Sequence, residues 1–238
     1  MVGDGSISTS GSGVSVCSAD LQIIEMLKSA IGSGHKIGVD NRSHRKKPSY
    51  TLNFKNKRVY KRLVHLGLVP RKSWNKTFCV RPPKRYLWSF LRGLLDSDGT
   101  FALDRNNSLH TTFLCSSHVQ LEWIRLQLWS GGVRASRVHP AGKQYRVTVS
   151  KQGSLVLLSR LYSGNPSLYL DRKRSKALKI LEQKDDITKR RHVRHSYPSD
   201  GSLKDLLKRG SIKSVANRLG IPYTSLYDHV RRRPHLRS

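Results

Sequence analysis

Apolar positions recur along this chain at two spacings, and the spacings alternate in the same order twice. Over residues 20–31 they return every three or four positions, the period of one helix face. Over residues 50–54 (YTLNF) they alternate with polar positions, as in a strand whose two faces differ. The same succession returns downstream, with helical spacing over residues 119–128 and alternation over residues 145–149. A further helical stretch closes each set, at residues 59–66 and 155–161. With a leading helix that ends in Asp-Gly and two β-rich stretches after it, the pattern predicts an αββαββα unit, present in tandem.

Residue identities support the duplication. Asp4-Gly5-Ser6-Ile7 matches Asp98-Gly99-Thr100-Phe101, and residues 14–27 match 112–125 with Cys17 over Cys115. Residues 50–54 match 145–149, and Pro70-Arg71-Lys72-Ser73 resembles Asp171-Arg172-Lys173-Arg174. The spacing between partners varies by only a few residues, as small loop insertions would produce. The expectation is an α+β pseudo-dimer with pseudo-two-fold symmetry, its half-domains at residues 1–80 and 81–183. Its sheets would present long, curved, basic surfaces suited to a DNA groove.

Charge names the partner. In 238 residues, 45 Lys and Arg stand against 15 Asp and Glu, a formal net charge of +30 spread along the whole chain. Like charges at that density repel the compact state unless an anion offsets them, and phosphate backbones are the expected anion. An anionic membrane would require a basic amphipathic helix or a long apolar run, and neither is found. The three cysteines, Cys17, Cys79 and Cys115, are odd in number and lack CxxC spacing. That argues against a disulfide framework or zinc site and for a reducing compartment. No signal-peptide pattern opens the chain.

The candidate chemistry lies in Phe90-Leu91-Arg92-Gly93-Leu94-Leu95-Asp96-Ser97-Asp98-Gly99. Gly93 and Ser97 share one helix face, and small side chains there would let a second helix approach closely. Gly99 is expected to end the helix in the left-handed conformation. Asp98 then sits where the helix dipole disfavours a carboxylate, unless a cation shares the site. Mg²⁺ accepts oxygen ligands from one or two carboxylates together with phosphates. The structural alternative is that Asp98 merely caps a helix.

This segment resembles the signature helix of LAGLIDADG homing endonucleases, matching at Leu91, Gly93, Leu94, Asp96, Asp98 and Gly99, with Leu95 a conservative change. Arg92 and Ser97 depart from that consensus. The order of elements resembles the family over roughly residues 1–183. The resemblance implies Asp98 and its repeat partner Asp4 as ligands of Mg²⁺ or another divalent cation, one per strand cut, with Gly99 in the same metal site. Lys72 and Lys173 are the candidates for a basic catalytic residue near the metal, or else contact the DNA backbone; Asp96 is read as an orienting or solvated group. The chain opens Met1-Val2-Gly3-Asp4-Gly5, so most of the first signature helix is expected to be absent. An apolar face of residues 90–98 would be left open. A start displaced upstream and a decayed gene copy both account for this.

Residues 184–199 are charged and polar up to Pro198 and read as a basic linker. Beyond it, residues 200–238 read as an all-α helix-turn-helix domain, with helices at 202–209, 211–219 and 223–233 around Gly220-Ile221-Pro222. Ala216, Gly220 and Leu226 fit the pattern, with Val215, Leu219, Ile221 and Val230 completing the core. Tyr223, Thr224, Ser225 and Tyr227 would face a major groove, and Arg231, Arg232 and Arg233 would meet phosphates. The alternative is a helical bundle for protein contacts.

The ten histidines show no metal-ligand spacing, and His192 and His195 belong with the linker. Trp74, Trp88, Trp123 and Trp129 are expected to fill cores. No nucleotide-binding glycine loop or Ser/His/Asp order is found. The expected function is site-specific double-strand cleavage of DNA by a monomeric, Mg²⁺-dependent homing endonuclease serving the mobility of its own gene or intron. A catalytically inactive DNA-binding regulator and an intron RNA maturase are the alternatives. The expected compartment is the cytoplasm of a bacterial, archaeal or phage-infected cell.

Overall fold

The computed structural model describes residues 3–41, 48–104, 108–188 and 197–236; His192 and His195 lie outside them. The chain divides into two compact units, residues 1–189 and 190–238.

In the first unit, strand-period alternation builds two sheets of one topology. β1 (Gly5–Ile7), β2 (Gly13–Ser18), β3 (Ile37–Asp40) and β4 (Ser49–Lys55) form an antiparallel sheet in the order β1-β2-β4-β3. α1 (Leu21–Ala30) follows β2, and α2 (Lys57–His65) follows β4. α3 (Leu87–Ser97) then leads into the second set: β5 (Thr100–Leu103), β6 (Leu109–Cys115), α4 (His118–Ser130), β7 (His139–Ala141), β8 (Gln144–Val149) and α5 (Lys151–Tyr162). Its strand order, β5-β6-β8-β7, repeats the first. α6 (Asp171–Glu182) and α7 (Lys184–Thr188) complete the unit.

Each sheet buries one face. Ile7, Val14, Val16 and Leu52 point inward in the first, and Phe101, Phe113, Val147 and Val149 in the second. Ser6, Cys17, Asn53, His110 and Arg146 occupy the exposed alternate positions. This register corrects the repeat alignment. Val16 pairs with Leu52 and Phe113 with Val147, so Ser18 occupies the place of Cys115. Cys17 is exposed whereas Cys115 is buried. Matching the two Cys-Ser pairs slipped the strand by one residue, and a one-residue slip moves every side chain to the other face.

The core is uneven. Leu91, Leu95, Leu121, Ile124, Leu128 and Leu158 join both sheets in one apolar cluster, while Val16, Ile24 and Leu52 form a small separate one. Helix α2 contributes no fully buried residue, because its sequence KRVYKRLVH offers only a thin apolar stripe. Trp88 and Trp123 pack on the edge of the main cluster. The expectation that all four tryptophans fill cores fails for the other two: Trp74 is 86% exposed, and Trp129 is exposed beneath the guanidinium of Arg125.

The second unit holds α8 (Asp200–Lys208), α9 (Ile212–Arg218) and α10 (Tyr223–Arg231). Ser199 and Ser211 accept from backbone N–H groups at the starts of α8 and α9, satisfying donors that a helix leaves unpaired. Gly220 takes φ +64 between α9 and α10, where a side chain would be strained. Leu203, Val215, Ala216, Ile221, Leu226, Val230 and Leu236 form the core, with Tyr197 packed against it. In the stretch 184–199, Lys184–Thr188 are thus helical, with Ile187 buried in the first unit, and Tyr197 donates to the Ser225 carbonyl at 3.2 Å in the second. No helix among the described residues is long and apolar enough to cross a membrane.

Candidate functional site

Helix α3 sets the site by its two faces. Leu87, Leu91, Leu94 and Leu95 recur at helical spacing and are buried, which fixes the helix against the second sheet. The helix stops at Asp98, whose φ −100 and ψ −12 close the last turn, with its N–H donating to the Leu94 carbonyl at 3.2 Å. Gly99 is not among the glycines with positive φ, contrary to the left-handed termination expected of it. Its role is steric instead. A Cβ at Gly99 would lie 2.6 Å from Leu95 Cδ1 and 2.7 Å from Leu95 Cα, so only glycine lets β5 turn back so closely over the helix end.

Asp98 meets the other copy of its motif. A side chain on Gly3 would collide with Ser97 and approach Asp98 Oδ2 to 3.1 Å, so this glycine brings the segment before β1 against the end of α3. Asp4 follows at once. Burial, and then the charge of Asp98, push its carboxyl above the ordinary value of 3.8. Lys72 donates to the Gly3 carbonyl at 2.5 Å. Burial pulls its ammonium below the usual lysine value, opposed first by the charge of Asp98. Asp98 and Lys72 line a cavity of about 1020 Å³, bounded on its far side by the hairpin of β7 and β8.

Lys173 also meets the helix end but does not line that cavity. It is buried, donating to the carbonyls of Leu95 and Gly99, the latter at 2.8 Å. The Gly99 carbonyl therefore already faces a cation. The structure thus brings Asp4, Asp98 and Lys72 together at the end of α3, with Asp98 and Lys72 lining the cavity, and gives Lys173 to the Leu95 and Gly99 carbonyls. Among the described residues no group of three or more His, Cys, Asp or Glu side chains could hold a metal.

Asp96 proves to be a buried structural carboxylate. Tyr162 donates its hydroxyl to Oδ1 at 2.6 Å, and the Leu170 N–H donates to Oδ2 at 3.2 Å. Arg92, one helical turn away, is also buried and donates to the Leu168 carbonyl at 2.7 Å and the Leu161 carbonyl at 3.1 Å. Burial pushes the Asp96 carboxyl up, and it pushes the Tyr162 hydroxyl up as well. Asp96→Ala would strand two donors and remove a countercharge from Arg92. We expect it to cost about 3 kcal/mol of unfolding free energy in urea titration. A loss below about 1 kcal/mol would contradict this assignment.

The opposite face of α3 is open. A Cβ on Gly93 would meet nothing within 4 Å. Gly93, Phe90, Ile23, Met26, Leu27 and Leu168 line a groove of about 500 Å³.

In the second unit, Tyr223, Thr224, Tyr227, Arg231 and Arg232 are exposed on or just beyond α10, while Ser225 and Arg233 are half-buried. The rings of Tyr223 and Tyr227 lie 5.8 Å apart. Arg233 is held within the unit, 2.9 Å from the His229 ring nitrogens and 3.9 Å from Asp200.

Sequence reading missed Gly3, the Arg92 and Tyr162 partners of Asp96, and the exposure of Trp74. A signal for Arg92 was available: a charge four residues before Asp96, inside an otherwise apolar helix.

No protein-family model and no curated protein matches this sequence. Among solved structures, the N-terminal LAGLIDADG domain of DUF199/WhiA matches 79% of this chain and 82% of its own length, at 14% identity and a TM-score of 0.50. The fold is the LAGLIDADG fold. Full-length DUF199/WhiA from Thermatoga maritima covers 97% of this chain and 86% of its own, at 14% identity and a TM-score of 0.49. I-DmoI in complex with DNA and Mn covers 65% and 82%, at 16% identity and a TM-score of 0.45. The fold assignment rests on the first of these. In this LAGLIDADG fold the helix carrying the resembling residues is α3, and the end of that helix is where Asp4, Asp98 and Lys72 gather.

Proposed function

We propose that this protein binds duplex DNA and cuts both strands at a defined site by divalent-cation-dependent hydrolysis of phosphodiesters. The observation that carries the reading is the meeting of Asp4 and Asp98 at the end of α3, where Asp98 and Lys72 line an open cavity. The charge of Asp98 adds to burial in raising the proton affinity of Asp4, and a cation held beside both carboxylates would offset that charge. The donor set fits Mg²⁺, which takes one or two carboxylates and completes its shell with water and phosphate oxygens. Asp98 and Asp4 would hold it; the Gly99 carbonyl would remain with Lys173. When bound, a divalent cation lowers the pKa of water and offsets charge on the reacting phosphate. Lys72, which donates to the Gly3 carbonyl and lines the cavity with Asp98, would be the basic residue at the reacting phosphate, and Lys173 would fix the helix end that aims Asp98.

The polar faces of the two sheets would read the target, and α9 and α10 would act as a helix-turn-helix that extends it. There Tyr223, Thr224, Ser225 and Tyr227 would meet base edges, and Arg231 and Arg232 would meet phosphates, joined by Arg233 once released from His229. The enzyme would act as a monomer and serve the mobility of its own gene or intron.

A thermal melt tests the cation site without needing the target sequence. Asp4 titrates above its unfolded value. Its contribution to stability is therefore full below about pH 3.8 and lost as pH rises through the folded value. At neutral pH the raised Asp4 carboxyl therefore costs stability, and a cation beside it would relieve that cost. Mg²⁺ at about a hundred times its Kd should stabilise the fold by about 2.7 kcal/mol, which corresponds to about 5–10 °C in Tm. The shift should shrink as pH falls and vanish in Asp98→Asn. A shift that survives Asp98→Asn would place the cation elsewhere.

One observation favours a second reading, a DNA-binding protein of this fold that does not cut. Asp98 ends a helix, whereas Asp4 stands in a turn before β1, so the two carboxylates are not matched in their supports. Cation-dependent strand scission separates the two readings.

A further inference from the structure

The turn after α2 presents an aromatic ring in an unusual way. Trp74 is 86% exposed, and among the described residues no ring, guanidinium or hydrogen-bonding group covers it. An indole left in water on a loose loop would fold back onto apolar surface. This turn is not loose. Arg71 takes φ 51, a left-handed conformation that a non-glycine residue adopts only when its surroundings enforce it. The Trp74 and Asn75 N–H groups donate back to the carbonyls of Arg71 and Lys72 at 2.9 and 3.1 Å. Ser116 Oγ donates to the Lys72 carbonyl at 3.1 Å, tying the turn to the end of β6. Lys76 donates to the Lys143 carbonyl at 2.9 Å, tying it to the β7–β8 hairpin. The indole is therefore held out on a braced support, at the rim of the cavity that Asp98 and Lys72 line.

The company of the ring identifies its ligand. Lys76 and Lys143 line the same cavity as the ring, so a ligand there would carry negative charge together with a flat apolar face. A nucleotide strand has that chemistry, with phosphates for the ammonium groups and a base face for the indole. An apolar protein partner would not be drawn to a cavity that also presents Lys72, Lys76 and Lys143. We propose that Trp74 is a base-stacking residue, taking a nucleobase that leaves the duplex stack beside Asp98. The inference rests on the DNA-binding reading above and names how that site grips the strand. Unstacking a base beside the carboxylates would bend the backbone there, which makes Trp74 a positioning residue for the cut.

The test uses the full chain, tryptophan emission and a thymidine homopolymer oligonucleotide, with a random-sequence duplex as the second probe. The wild-type protein should bind the oligonucleotide with quenched emission. Trp74→Ala should weaken that binding by about tenfold and remove part of the quench. Trp74→Phe should restore affinity without restoring the quench, a result that a merely structural role would not give. If the oligonucleotide binds without quenching and Trp74→Ala changes nothing, the stacking role is overturned. Salt-sensitive binding of the duplex in that same case would leave the DNA-binding reading standing. If neither probe binds, both readings fall together.

Discussion

Duplex DNA should bind this protein about a thousandfold more weakly, or worse, at 200 mM salt than at 50 mM. The expectation follows from a formal charge of +30 spread over the whole chain. Each phosphate neutralised by Lys or Arg releases condensed counterions, and salt opposes that release. A protein meeting six to ten phosphates has a slope of log affinity against log salt of roughly −5 to −9. Anisotropy of a labelled duplex across a salt series gives the slope directly. Replacing Arg231 and Arg232 together, both exposed beside α10, should make it shallower by about two. A slope near −1 would contradict the account, because it would mean that the charge is not arranged to meet a phosphate backbone.

Asp98→Ala should lower cation-dependent DNA cleavage by about a thousandfold or more, the scale at which removing one charge-stabilising group acts at a reacting centre. Binding should survive. Asp98 faces an open cavity and contributes no buried hydrophobic contact, and deleting it removes a negative charge from a surface meant for phosphates. Affinity measured without divalent cations should therefore stay level or rise. Asp96→Ala, two residues earlier, should instead lower stability, because its carboxylate is spent on Tyr162 and Leu170. Two neighbouring acids thus separate by readout, one by chemistry and one by folding. Comparable loss of binding in both variants would indicate that Asp98 also supports the fold.

The legible parts of this protein were those written in periodicity. Alternation over residues 50–54 and 145–149 placed strands β4 and β8, and helical spacing placed α1 and α4, because each element has one buried face and the pattern records it. The core of the second unit was read almost whole; Leu203, Tyr197 and Leu236 joined it unforeseen, the last through a 3-10 turn after Pro234. Letters misled where they outvoted the pattern. Two Cys-Ser pairs suggested one register for β2 and β6, and the inward Val16 and Phe113 impose another. Contacts between distant segments were not legible at all. Nothing local in Gly3 announces that Ser97 lies where a side chain would go, and nothing local in Tyr162 announces Asp96. Trp74 was read as core because tryptophans usually are, and only the braced turn shows why this one is not.

The most direct test of the central claim is cleavage of a randomised duplex library in Mg²⁺, with cut ends read by sequencing, by the wild-type chain and by Asp98→Ala. The account predicts ends that converge on one sequence for the wild type and are absent for the variant, while both proteins keep salt-sensitive binding to the library. Cut ends from both proteins alike would show that Asp98 is not the catalytic carboxylate. Binding by both with no cutting by either would contradict the nuclease claim and leave a DNA-binding protein of LAGLIDADG fold.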